Sequence, residues 1–151
     1  MHSEDVPVAS VAQLATVTPR GSYRLFRRDA HLIFLSGQGP MRFDGSFHTG
    51  KVGADVDTAE AYQHARLVGR LMLATLGEAG FALDRIEVLK LFGLVNAVST
   101  FTDHPAVING CSDLLVEQLG ERGEHARSAV GAGSLPHNMT VEVEAIFRLE
   151  D

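Results

Sequence analysis

Residues 125–147 read "HARSAVGAGSLPHNMTVEVEAIF". From Ala126 onward alternate residues form two sets, Ala126, Ser128 and Val130 against Arg127, Ala129 and Gly131. Leu135-Pro136 interrupts the run. Beyond the break, Met139, Val141, Val143, Ala145, Phe147 and Leu149 make one apolar face, and Thr140, Glu142, Glu144, Ile146 and Arg148 make the other. A period of two is the signature of a strand, so the segment predicts two strands. Three charges sit in it among small and apolar neighbours: Arg127, Glu142 and Glu144. Withdrawing an isolated charge from water costs on the order of several kcal/mol unless a partner meets it. For Arg127 that partner is either a glutamate across neighbouring strands or a carboxylate brought from outside.

Working back from this segment, helical spacing replaces alternation. Asp57 followed by Glu60 is a capping-box pattern, and Ala61, Ala65, Val68, Met72 and Leu76 recur on one helical face until Gly80. A second helix is predicted from about Pro105 to Gly120, with Val107, Cys111, Leu114 and Leu115 inward. Between the helices, Ile86–Val98 is apolar and β-branched without a helical period, which predicts a strand. Upstream, "SYRLFRR" and "HLIFLSGQG" flank Asp29-Ala30 as a hairpin, and residues 41–57, rich in glycine, read as an irregular loop or a short strand pair. Residues 1–20 form a weakly organised extension, and 21–151 form one domain. The order of strands, helix, strand, helix and two strands gives an α+β domain with a mixed sheet and both helices on one of its faces. The opposite face is expected to carry Glu142 and Glu144 beside Ala129, Gly131 and Ile146. That surface is too apolar for free water and too charged for a monomer core, so it predicts oligomerisation.

Composition excludes several functions. The 151 residues are 45% hydrophobic and 21% charged, with a net charge of −6, and basic residues are scattered singly apart from Arg27-Arg28. Such a chain offers no basic path to nucleic acid. No apolar run reaches the roughly 20 residues of a membrane span and the N-terminus has no signal-peptide pattern, so a cytoplasmic protein is expected. One cysteine and seven histidines without an HxxxH pair predict no metal site, and no cofactor is implied. Cys111 reads as a buried thiol. "GQGPMRFDG" and "GAGS" lack the spacing and the following helix of a dinucleotide loop.

In order and spacing, five marks resemble one family: "GSY" with Tyr23 thirteen residues before the Ser36 of "SGQGP", "FTDHPAVING" with Asn109, "ARS" at Ala126–Ser128, Leu135-Pro136, and "VEVEAI". From about Gly21 to Leu149 the chain resembles the Rid, or YjgF-like, reactive-intermediate deaminases, in a branch of its own. The resemblance implies a chorismate-mutase-like α+β fold, a homotrimer, and a site in each cleft between subunits. It also implies roles. Arg127 matches the arginine that holds the carboxylate of a 2-imino or 2-enamino acid, and Glu142 the glutamate that positions a water. Tyr23, Ser36, Gly37 and Asn109 match the rest of the cleft. The family's cysteine two residues past the arginine is Ala129, whose backbone N–H could still bind a carboxylate oxygen, and the proline of its "GPY" is Ser22.

The implied chemistry is hydrolysis of small 2-imino acids to 2-keto acids and ammonia. A guanidinium grips a carboxylate through two parallel hydrogen bonds, and a carboxylate can take a proton from an attacking water. A non-catalytic binder of carboxylate metabolites is the competing reading, and the acidic charge weakens an endoribonuclease role.

Overall fold

A computed structural model describes residues 14–151. Five strands, β1 (Phe26–Asp29), β2 (Leu32–Gln38), β3 (Ile86–Asn96), β4 (Ala126–Ala132) and β5 (Val141–Leu149), form one sheet in the order β1-β2-β5-β3-β4. Pairing is antiparallel except between β3 and β4, which run parallel because the helix α2 (His104–Leu119) crosses between them. The other helix, α1 (Thr58–Glu78), packs beside α2.

The helices start and stop where their sequence signals lie. Asp57 Oδ1 accepts the Glu60 N–H at 2.8 Å, capping α1. Past its end, Gly80 takes φ +93° while its N–H and that of Phe81 return to the carbonyls of Gly77 and Leu76. That double closure is a Schellman motif, which favours glycine. Ala61, Ala65, Val68, Met72 and Leu76 are fully buried, and so are Val107 and Cys111 of α2. The helices meet closely at Gly110, where a Cβ would lie 2.0 Å from the Tyr62 carbonyl oxygen. Beneath them, Ile33, Leu91, Val95, Val143 and Phe147 fill the sheet side of the core. Each such side chain contributes roughly 1.5–3 kcal/mol by leaving water.

Two expectations about faces are corrected. β4 does alternate as read, but Arg127, Ala129 and Gly131 face the helices and do not join Glu142. Ala129 pairs with Gly93, which also pairs with the buried Val143, and Ala129 packs against the core. The small residues serve a close approach: a Cβ at Gly93 would lie 2.7 Å from Ile108, and one at Gly131 would lie 2.6 Å from His104 Nε2. Thr140 also lies off the open face. It is fully buried before β5 begins, with Oγ1 2.9 Å from Nδ1 of the buried His64. His48 stacks on that imidazole at 4.3 Å, and burial pushes the His64 pKa down to about 4, so His64 is neutral at pH 7.

The uncovered face presents Phe34, Phe92, Leu94, Ser128, Val130, Glu142, Glu144 and Ile146. Phe34 and Val130 are 42% and 39% exposed. Of the sequence extension, Ala15 is buried and Leu14 and Val17 pack with it against Met41 and Leu71. No described helix is long and apolar enough to cross a membrane.

Candidate functional site

The residues singled out in the sequence fall into two groups. Arg127, the second residue of β4, lies under α2, because Gly93 lets Ile108 settle against β3 and thereby brings the next turn of α2 over the sheet edge. There Arg127 Nη1 donates to Asn109 Oδ1 at 2.7 Å and to Ser112 Oγ at 3.1 Å. Ser112 Oγ is in turn 2.9 Å from His125 Nε2, and His125 Nδ1 is 2.6 Å from the Gly123 carbonyl oxygen.

The direction of this chain follows from chemistry. A carbonyl can only accept, so Nδ1 carries the proton. Burial first, and the Arg127 charge after it, hold the His125 pKa below its ordinary value, although the Gly123 carbonyl works the other way. The ring is therefore neutral at pH 7, Nε2 accepts from the Ser112 hydroxyl, and Ser112 keeps a lone pair for Arg127. Both described hydrogen-bond partners of Arg127, Asn109 and Ser112, are neutral. No carboxylate of the described residues forms an ion pair with it.

Glu142 cannot supply that carboxylate within one chain. Arg127 pairs across the ladder with Leu91 and Glu142 with Leu94, three residues apart on β3 and so on opposite faces of the sheet. Glu142 instead lines a cavity of about 410 Å³ together with Tyr23, Ser36 and Gly37. Its carboxylate accepts no hydrogen bond from the described residues. Burial, and secondarily the negative charge of Glu144, raise its pKa above the usual carboxylate value. Gly37 leaves the space Glu142 occupies: a Cβ there would lie 2.8 Å from Glu142 Oε1. Both Ser36 and Gly37 sit where β2 carries an extra residue relative to β5, a bulge that re-aims the strand end.

The hydroxyls of the cavity are asymmetric. Ser36 Oγ donates its proton to the Arg24 carbonyl at 2.6 Å, so toward a ligand it can only accept. Tyr23 Oη receives the Arg20 N–H at 3.2 Å and keeps its own proton to give. Cys111 is fully buried, and burial pushes its thiol up to about 12, which makes it inert packing. Among the described residues no group of three or more His, Cys, Asp or Glu side chains is placed to hold a metal ion.

Sequence reasoning missed Ser112 and His125, the braces behind Arg127. Ser112 was findable, since it lies three residues after Asn109 on the same helical face. His125 was not, because its partner carbonyl belongs to a turn without a residue signature. Also missed were Phe47, His137 and Met139 as walls of the cavity.

Comparison with known proteins identifies the family and the fold. A family model described as "YjgF/chorismate_mutase-like, putative endoribonuclease" matches residues 6–148. Protein TCP17 of Trypanosoma cruzi is 34% identical over 139 residues, which span 91% of this chain and 87% of that protein. A crystal structure of a protein of unknown function from Agrobacterium tumefaciens superposes with TM-score 0.83 at 39% identity, covering 95% and 92% of the two chains. One from Shewanella oneidensis, described in the same endoribonuclease terms, gives 0.86 at 28% identity over 95% and 99%. With the α+β fold, the mixed sheet and the sequence marks in agreement, the chain belongs to the YjgF, or Rid-like, family.

Proposed function

We propose that the protein hydrolyses small 2-imino acids, and their 2-enamino tautomers, to 2-keto acids and ammonia in a cleft between subunits of a homotrimer. The observation that carries this reading is Arg127: a guanidinium braced by Asn109 and Ser112, with no carboxylate of the described residues in an ion pair with it. A braced, unpaired arginine is suited to a ligand's carboxylate, which it orients as well as attracts. Since Arg127 and Glu142 lie on opposite faces, they serve one substrate only if neighbouring subunits each supply one of them. Among the described residues β1 and β4 each pair with a strand on one side only, and the open face carries the exposed Phe34 and Val130, features that suit such an assembly.

In this cleft Arg127 of one subunit holds the substrate carboxylate, and the next subunit's Glu142 holds a water near the iminium carbon. Glu142 takes a proton as the water oxygen bonds to carbon, and the C=N electron pair moves to nitrogen. Glu142 then protonates the amine of the resulting carbinolamine, and as the C–N bond breaks to release ammonia the hydroxyl proton passes back to the Glu142 carboxylate, leaving C=O. The raised pKa of Glu142 suits both directions of transfer, and Ser36, able only to accept, faces an N–H of the iminium. Alignment supplies much of the acceleration. The test is decay of 2-iminopropionate, generated in situ from serine by a dehydratase, with wild type and Arg127→Ala. Acceleration lost in the variant is expected. Keto-acid binding without acceleration by the wild type would instead assign the cleft to a binder.

A further inference from the structure

We propose that the cavity beside Glu142 is a side-chain subsite that selects 2-imino acids with a bulky apolar or aromatic side chain over the smallest ones. The inference rests on the reading of Arg127 and Glu142 above and names the class of substrate they serve. The cavity is continuous with the candidate site, since Tyr23, Ser36, Gly37 and Glu142 line it, yet it extends well past them to Val17, Met41, Phe47, His137 and Met139. At about 410 Å³ it lies in the range of pockets that take ligands much larger than a methyl-bearing imino acid.

The walls are a built feature. Phe47 is stacked by the His137 ring at 5.3 Å and 22° and by the Arg20 guanidinium at 4.7 Å. Arg20 is itself tethered to the Gly45 carbonyl at 2.9 Å. His137 and the following Asn138 both have φ near +55°, the left-handed region that costs a side-chain-bearing residue on the order of 1 kcal/mol or more. The turn is held there by Asn138, whose Oδ1 accepts from Asn96 Nδ2 at 3.0 Å and whose carbonyl accepts from Gly50 N–H at 3.0 Å. Its consequence is that His137 lies against Phe47 while Met139 enters the space Gly39 leaves: a Cβ at Gly39 would lie 2.0 Å from Met139 Sδ. The two glycines of "GQG" thus seat Glu142 and Met139, while the Gln38 amide turns to Thr75 of α1 at 3.1 Å. Strain spent on aligning an imidazole, a phenyl and a thioether around a void makes an apolar, polarisable pocket next to the reacting carbon.

The experiment measures binding of four product-like 2-oxo acids, pyruvate, 4-methyl-2-oxopentanoate, phenylpyruvate and 2-oxoglutarate, by calorimetry. Wild type, Arg127→Ala, Thr18→Trp and Phe47→Ala are compared. Wild type should bind phenylpyruvate at least about tenfold more tightly than pyruvate, with the branched acid between. Thr18 is an exposed residue at the cavity, so its tryptophan variant keeps the fold and narrows the space. That variant should lose the preference while pyruvate affinity stays, and Phe47→Ala should weaken phenylpyruvate most. Equal wild-type affinities would overturn the subsite and leave the site reading standing. Tighter binding of 2-oxoglutarate than of phenylpyruvate would overturn it in favour of a charge-selective pocket around Arg20. No binding of any acid, in wild type as in Arg127→Ala, would overturn both readings.

Discussion

Around Arg127 each neighbour is a neutral polar group that fixes the guanidinium, from Asn109 directly and from Gly123 through His125 and Ser112. Around Glu142 none of the described residues holds the carboxylate; a glycine at position 37 makes room for it, and burial beside Glu144 raises its pKa. The two regions therefore prepare opposite charges for different tasks. A fixed cation loses little on meeting a planar anion, because its geometry is already set. An untethered, partly desolvated carboxylate is a poor clamp, but it exchanges a proton closer to neutral pH than an exposed glutamate does.

The sharpest way to break the comparison is to remove each charge in turn. Arg127→Ala should lower kcat/KM by about 10³-fold, mostly through lost substrate fixation, and leave the melting temperature nearly unchanged. A variant that dissociates or unfolds would show a structural arginine instead. Glu142→Gln should lower kcat by about 10²-fold with 2-oxo acid affinity kept. It should also abolish the acidic limb of the kcat/KM profile, which in wild type lies above the ordinary carboxylate range. The sign of its effect on stability is opposite to that of a paired glutamate. A carboxylate with a raised folded pKa adds stability only below its unfolded pKa and loses it as pH rises through the folded one, so at pH 7 the ionised group is a cost. Neutral glutamine should raise the melting temperature slightly, by less than about 1 kcal/mol of stability. A fall in melting temperature would mean that Glu142 is paired after all.

Gly37→Ala tests the empty side of the comparison without touching a charge. The added methyl must displace Glu142 Oε1, 2.8 Å from its position, or push the strand end away. About tenfold lower kcat is expected, with binding through Arg127 intact. Parallel loss of affinity would show that the bulge of β2 also sets the carboxylate end of the cleft.

Much of this architecture was legible in the sequence, for identifiable reasons. Asp57, Glu60 and Gly80 delimit α1 because caps depend on local groups only. The alternation in β4 and β5 was legible too, since a period of two needs no tertiary knowledge. What the alternation could not tell was which set of β4 faces the helices. Alanine and glycine carry almost no hydropathic sign, and the arginine whose partner was expected across neighbouring strands or from outside is braced by Asn109 and Ser112 on the preceding helix. Thr140 was misplaced for a similar reason: its partner, His64, lies in α1. The cavity walls were invisible because Phe47 and His137 meet only through a left-handed turn at His137-Asn138, two residues with no glycine to announce it.

The smallest effects should come from the brace behind Arg127. Ser112→Ala removes one acceptor from the guanidinium and leaves His125 Nε2 without its donor, so KM should rise about fivefold with kcat little changed. His125 makes the same brace pH-dependent. Its folded pKa lies below the ordinary histidine value, so its contribution is complete above about pH 6.5 and is lost as pH falls through the folded pKa. A proton on Nε2 turns that acceptor into a donor, so the Ser112 oxygen must then accept from both His125 and Arg127, two cations set against each other on one hydroxyl. Acidification should therefore weaken 2-oxo acid binding about twofold beyond any change due to Glu142. Measuring affinity against pH in the Glu142→Gln background isolates this component, and adding His125→Gln should flatten it. An unchanged slope in the double variant would mean that Asn109 alone orients the arginine and that the histidine only packs the turn before β4.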